Sequence, residues 1–165
     1  MSKGPRFTVH FRRRREGKTK YRSRLRLLKS RTSRLVVRKT NKYIIAQIID
    51  FDIKGDKTVA YVNSLELKKH GWTSSLKNTS AAYLVGLLIG KKAVDAKVEK
   101  AIFDLGLYTP SKGAKIFATL KGAADAGLNI NFEDKLCPSE DRITGKHLKS
   151  DASSQFEKVK GVILQ

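Results

Sequence analysis

The chain has 165 residues, 40% of them hydrophobic, a composition typical of one globular domain. No apolar run reaches the roughly 18 uncharged residues that cross a bilayer, which excludes a membrane-spanning protein. The single cysteine, Cys137, excludes an internal disulfide framework.

The formal net charge of +20 is concentrated near the N-terminus. Between Met1 and Lys42 the chain carries seventeen Lys and Arg residues and one acid, Glu16. Because so many like charges repel one another unless a polyanion neutralises them, this distribution predicts a nucleic-acid-binding segment on a nearly balanced body. Residues 1–17, hereafter the arm, have no apolar period and are predicted to be extended or disordered in the free protein.

A helical period begins at Thr19, with Tyr21, Leu25 and Leu28 on one stripe. Basic residues flank this stripe on both sides, which indicates a helix that packs lightly on protein and meets phosphates on two faces. A solvated basic face is the alternative, but such faces normally mix charges of both signs.

Three strands are predicted next, over residues 34–39, 43–51 and 58–62, joined by short turns as an antiparallel meander. The second strand is apolar on both faces, which places it centrally in the sheet.

The second half of the chain changes period. A helix is predicted from one of residues 78–80, all plausible N-caps, to about Lys97, and a short strand over residues 101–105. A second helix is predicted to begin at Ser111 or Lys112 and to stop at Gly127. The predicted fold class is therefore α/β, a single domain whose mixed, mostly antiparallel sheet is packed with helices.

The C-terminal region gives a weaker pattern. Residues 151–155 are predicted to form a linker, and Phe156, Val159 and Ile163 mark a possible short helix. The predicted organisation is the arm over residues 1–17, a helix plus α/β body over 18–148 and a tail over 149–165 with a possible short helix.

Three acids, Asp50, Asp52 and Asp104, lie near predicted strand ends, and clustered carboxylates are able to hold Mg²⁺ for phosphodiester cleavage. Aspartate is also an ordinary strand terminator, and no Glu or His partner stands at a telling spacing. The prediction is no catalytic residue, no metal and no cofactor.

Two further segments have a possible role in nucleic-acid binding. Trp72 follows a basic cluster and fits either stacking on a base or capping the core, with neither favoured. The loop over residues 109–113 precedes a predicted helix, where free N–H groups and Lys112 are placed to receive a phosphate oxygen.

Several segments in order resemble the universal large-subunit ribosomal protein family L-eighteen, whose eukaryotic relatives are named L-five. Residues 34–42 and 46–50 resemble its strand–turn–strand signature, and residues 78–86 its first core helix. Residues 103–107 and 118–128 resemble the following strand and helix. Residues 138–147 are similar to a segment of archaeal and eukaryotic members.

The resemblance implies an α/β sandwich related to the ribonuclease-H-like fold, used without catalysis in the large subunit of the cytoplasmic ribosome. It also implies a position in the central protuberance beside 5S rRNA, 23S rRNA and neighbouring large-subunit proteins, including the other 5S-binding protein. The RNA contacts carried over from the family are Arg12, Arg13, Arg14, Arg15, Lys18, Lys20, Tyr21, Arg22, Arg26, Arg34, Arg38, Asn41, Lys42, Lys112 and Lys115.

Two other classes remain as alternatives: a metal-dependent nuclease on the same fold, tested by Asp50→Asn, and a free regulator that binds DNA or RNA. Preference for an unrelated duplex over 5S rRNA at matched salt would favour the regulator.

Overall fold

A computed structural model of the chain describes residues 4–148 and 152–164. The helices are α1 (Arg12–Arg15), α2 (Tyr21–Leu28), α3 (Thr79–Asp95), α4 (Lys115–Asp125), α5 (Glu140–Thr144) and α6 (Ala152–Leu164). The strands are β1 (Ser33–Lys39), β2 (Ile44–Asp50), β3 (Lys57–Asn63) and β4 (Ala101–Asp104). Two 3-10 helices span Ser64–His70 and Asp134–Leu136.

The four strands form one sheet in the order β3-β2-β1-β4. The first three are an antiparallel meander, and β4 returns to pair in parallel with β1. The predicted α/β class, the meander and the interior position of β2 are confirmed. Residue alternation puts Leu35, Val37 and Ile48 on the core face, and the intervening residues on the other face of the sheet.

Helices α3 and α4 cover the core face, and α5 and α6 pack on α3 from the side. Almost every residue of α3 is buried, in agreement with its apolar composition on all sides. The side chain of Asn78 accepts a hydrogen bond from the Ala81 N–H at 2.7 Å, which makes it the N-cap among the three candidates.

Glycines allow α3 and α4 to cross at backbone contact. A Cβ at Gly86 would overlap the Thr119 carbonyl, and one at Gly122 would overlap the Tyr83 carbonyl. These two positions therefore set the distance between the helices.

The predicted start of α4 at Ser111 or Lys112 is wrong. Gly113 adopts a left-handed φ of +72°, and its N–H donates to the Leu136 carbonyl at 2.9 Å. Because that conformation cannot continue a helix, α4 begins at Lys115, and Lys112 lies in an exposed loop outside it.

Two other predictions change. The expected linker is wrong for residues 152–155, which form the first turn of α6 and bury Ala152, whereas Asp151 lies outside the described residues. In the arm, residues 12–15 form one helical turn rather than extended chain. Residues 1–3 of the arm, and residues 149–151 and 165 of the tail, also lie outside the described part.

Candidate nucleic-acid interface

The arm and α2 lie against the face of the sheet that α3 and α4 leave open. A cleft of about 240 Å³ separates them from β1 and β2. Its charged lining consists of Arg13, Lys18, Lys20, Arg24, Arg34, Arg38, Asp56 and Asp104. Six cations against two acids make this cleft, hereafter the arm cleft, a site of positive potential.

Lys20 connects the arm cleft to two neighbouring hollows. One of them is bordered by Arg14, Arg22 and Arg26, and the other by the segment that follows β4. The three depressions therefore form one continuous basic surface, hereafter the arm surface.

Several cations in and beside the arm are held loosely. Arg12 pairs with Glu16 at 3.9 Å, and Lys18 pairs with the same carboxylate at 2.8 Å, all three exposed. Arg13 Nε donates to Thr19 Oγ1 at 3.0 Å. Exposed pairs of this kind contribute about 0–1 kcal/mol, so a phosphate competes for these cations at little cost.

Helix α2 has a weak apolar attachment to the body. None of its residues is buried, and Leu25 on the predicted seam is 60% exposed. The light packing expected of this helix is confirmed.

Charged hydrogen bonds hold α2 in place instead. Arg24 Nη2 donates to both oxygens of Asp56 at 2.8 and 2.9 Å, and Arg34 Nη2 donates to Asp56 Oδ2 at 2.6 Å. Arg34 Nη1 donates to Asp104 Oδ2 at 3.1 Å, and Arg38 lies 3.8 Å from the other oxygen of Asp104. These five residues are hereafter the arginine–aspartate network.

A second group of cations lies at the other end of β1. Partial burial of Lys115, at the start of α4, lowers its pKa below the ordinary lysine value. The nearby charges of Lys77, Lys39 and Arg142 lower the pKa further. The Lys39 ammonium stands 5.3 Å from the centre of the Tyr108 ring. A polyanion bound here would relieve the repulsion among these cations and raise the pKa of Lys115.

The predicted contact residues thus lie in four places. The arm surface contains Arg13, Arg14, Lys18, Lys20, Tyr21, Arg22, Arg26, Arg34 and Arg38, and Arg12 and Arg15 are exposed on α1 beside it. Asn41 and Lys42 are exposed in the β1–β2 turn, Lys112 is exposed in its loop, and Lys115 belongs to the second cationic group. Arg34 is less accessible than the other predicted contact residues, because only 3% of its surface is exposed and its charge faces two carboxylates.

Asp52 and Asp104, two of the acids considered for a nuclease, are not arranged as metal ligands. Asp104 is occupied by Arg34 and Arg38, and Asp52 is exposed at a turn, where it accepts the Lys54 N–H at 3.2 Å. Over residues 4–148 and 152–164, no three His, Cys, Asp or Glu residues converge to hold a metal.

Of the two interpretations left open for Trp72, the structure supports capping of the core. Its ring is 1% exposed in the core, and its indole N–H donates to the Ser75 carbonyl at 3.2 Å. An accessible aromatic lies in the arm instead. Phe11 is 73% exposed and its ring centre is 5.3 Å from that of Tyr21. Sequence analysis missed Phe11, although an aromatic directly before four arginines was a usable signal.

A four-stranded α/β body carrying a basic, aromatic arm surface defines a protein of the polyanion-binding class. None of the helices in the described part of the chain has the length and apolarity of a membrane span. Comparison with known proteins narrows that class.

The family described as "Ribosomal large subunit proteins 60S L5, and 50S L18" matches residues 5–100 and 92–133, and the chain belongs to this family. It is 46% identical over 162 residues to the large ribosomal subunit protein uL18 of Methanoregula boonei, covering 98% of this chain and 93% of that protein. It is 47% identical over 157 residues to the uL18 of Methanothermobacter thermautotrophicus, covering 95% of this chain and 82% of that protein.

Family membership confirms the resemblance drawn from the sequence. The chain is a structural, non-catalytic constituent of the large subunit of the cytoplasmic ribosome. The nuclease and free-regulator alternatives are set aside by this finding.

Proposed function

We propose that the chain binds 5S rRNA, contacts 23S rRNA, and helps to attach the 5S rRNA to the central protuberance beside the other 5S-binding protein. The observation that carries the proposal is the arm surface, where cations of the arm, α2 and β1 converge around one cleft. RNA backbone is the polyanion that a large-subunit protein meets.

In the proposed domain organisation, residues 1–17 form the arm, residues 18–148 the RNA-binding body and residues 149–165 the tail. Cations of the arm surface contact phosphates and supply affinity, and the shape of the folded RNA supplies most of the specificity. Asn41, Lys42, Lys112 and Lys115 lie outside the arm surface, and we assign them to other parts of the RNA. Arg34 contributes to RNA binding indirectly, through the side chains that it positions.

Binding to 5S rRNA is tested by titrating the protein against 5S rRNA and an unrelated folded RNA of equal length. If about 6–10 phosphates are contacted, affinity should fall roughly 10³–10⁵-fold between 50 and 200 mM salt. At matched salt, 5S rRNA should bind more tightly than the unrelated RNA. A flat salt response, or equal affinity for both RNAs, would contradict the proposal, and cross-linking within isolated large subunits would locate the contact.

Phe11 is expected to stack on a base of the bound RNA. Substitution Phe11→Ala should weaken binding by about 1–3 kcal/mol, because stacking of a base on an aromatic ring contributes that much. The salt dependence of binding should not change, since no cation is lost. The matched control is Val9→Ala, which shortens a side chain of the same segment that is 67% exposed and carries no ring. Equal effects of the two substitutions would exclude stacking by Phe11.

A further inference from the structure

We infer that two acids of the body, Asp56 and Asp104, are positioning residues for RNA binding. Through the arginine–aspartate network they hold α2 against the sheet, so that the cations of the arm surface meet RNA in one arrangement. Removing the Asp56 carboxylate would then weaken binding to a polyanion, although the protein becomes more positive. The inference rests on the proposed RNA-binding function and assigns the residues that organise its site.

The network joins four separate segments of the chain. Arg24 belongs to α2, Asp56 to the turn before β3, Arg34 and Arg38 to β1, and Asp104 to the end of β4. Charges alternate along it, so each carboxylate lies between two guanidinium groups. Asp56 thereby bridges α2 and β1, whose arginines would otherwise repel one another, and Asp104 holds both arginines of β1 in place.

Two residues of the network, Arg34 and Asp104, are buried, and their burial makes the network selective for one arrangement of side chains. The Arg34 side chain is 4% exposed and that of Asp104 is 12% exposed, so water cannot substitute for a lost partner. An unpaired charge at this depth is strongly unfavourable, and the two carboxylates keep the buried Arg34 guanidinium paired. Arg38 is held at the same end, with Nη1 donating to the Val37 and Asp104 carbonyls at 2.8 and 3.1 Å.

Helix α2 depends on this attachment because it has little other support. It is eight residues long with no buried side chain, and isolated helices of that length are marginal in water. Its Arg24 also lines the arm cleft together with Arg34 and Arg38 of β1. Without Asp56 between them, Arg24 and Arg34 would repel each other and α2 would leave the sheet.

A pre-positioned helix lowers the ordering cost of binding RNA. If the acids act by positioning α2, removing one weakens RNA binding. If they act only through their negative charge, removing one strengthens binding to a polyanion. The two views predict opposite signs for the same substitution.

The test compares Asp56→Asn with Asp52→Asn. Both residues lie between β2 and β3 and both substitutions raise the net charge by one. The Asp52 side chain accepts the Lys54 N–H and forms no ion pair within residues 4–148 and 152–164, whereas Asp56 pairs with two arginines. We expect Asp56→Asn to weaken 5S rRNA binding about tenfold and Asp52→Asn to leave it unchanged or slightly tighter. The salt slope should stay at its parent value in both, because no cation is removed. Asp56→Asn binding as tightly as Asp52→Asn would overturn the inference.

A second measurement needs no RNA. Amide hydrogen exchange of the free protein should accelerate over residues 21–28 in Asp56→Asn and not in Asp52→Asn, with β1 and β2 still protected. Unchanged exchange in α2 would also overturn the inference. If 5S rRNA binding by the parent protein fails, the proposed function is wrong while this measurement still reports on the network.

If Asp56→Asn does not fold, Arg24→Gln is the alternative test, because it leaves the ion pair between the buried Arg34 and Asp56 intact. Its control is Lys29→Gln, an equal charge change at the exposed C-cap of the same helix. Arg24→Gln should accelerate exchange in α2 and weaken RNA binding more than Lys29→Gln does. Equal effects of the two substitutions would contradict a role for Arg24 in positioning.

Discussion

Replacement of Arg12, Arg13, Arg14 and Arg15 by glutamine is expected to weaken 5S rRNA binding by roughly 10²–10³-fold at 0.1 M salt. Each lost phosphate contact removes about 0.7–0.9 from the slope of log affinity against log salt, so four contacts remove about 3. None of the four side chains is buried, and α1 has no buried residue. The melting temperature should therefore stay near that of the parent. Filter binding across a salt series measures both quantities.

The matched control replaces four exposed lysines away from the arm, Lys97, Lys100, Lys135 and Lys158, by glutamine. The change in net charge is the same, so any non-specific attraction of RNA to a basic protein falls equally. We expect only a small effect on the slope. A loss as large as that of the arm variant would mean that total charge, rather than the arm surface, determines binding.

Gly122→Ala is expected to lower the free energy of unfolding by about 3 kcal/mol or more, the upper part of the range for overpacked cores. The new Cβ would overlap the Tyr83 carbonyl and lie 3.1 Å from the Leu87 nitrogen. Both atoms belong to the α3 backbone and cannot rotate away, so α3 and α4 must separate. For a chain of this size the melting temperature should fall by about 10 °C. Thermal unfolding followed by circular dichroism measures it.

Gly161→Ala is the control for this prediction. Gly161 lies within α6, and a Cβ there meets nothing within 4 Å. Alanine should raise the free energy of unfolding by about 0.5–1 kcal/mol, because glycine loses more backbone entropy in a helix. Destabilisation by both substitutions would show that the helix crossing is not the cause. Gly86→Ala should resemble Gly122→Ala, since a Cβ there would overlap α4 at the same crossing.

The α/β class, the order of the central elements and the family could be predicted because their signals are local. Hydrophobic period identifies α3 and the strands of the meander, and charge density identifies the arm. The errors arose where a local signal was ambiguous. Serine and lysine at positions 111 and 112 suit a helix start, but the left-handed Gly113 delays α4 to Lys115. Residues 152–155 have a polar composition typical of a linker, yet Ala152 packs into the core as the first residue of α6.

The candidate site also has one part that the sequence predicted and another that it did not. Its cations were all visible in the sequence because charge is a property of each residue. The tertiary structure alone decided that Arg34 faces Asp56 and Asp104, which are 22 and 70 residues away along the chain. It also decided that Trp72 is buried while Phe11 remains accessible. Burial and ion pairing depend on which elements meet in space, and the periodicity of a single segment contains no information about a partner so distant in sequence.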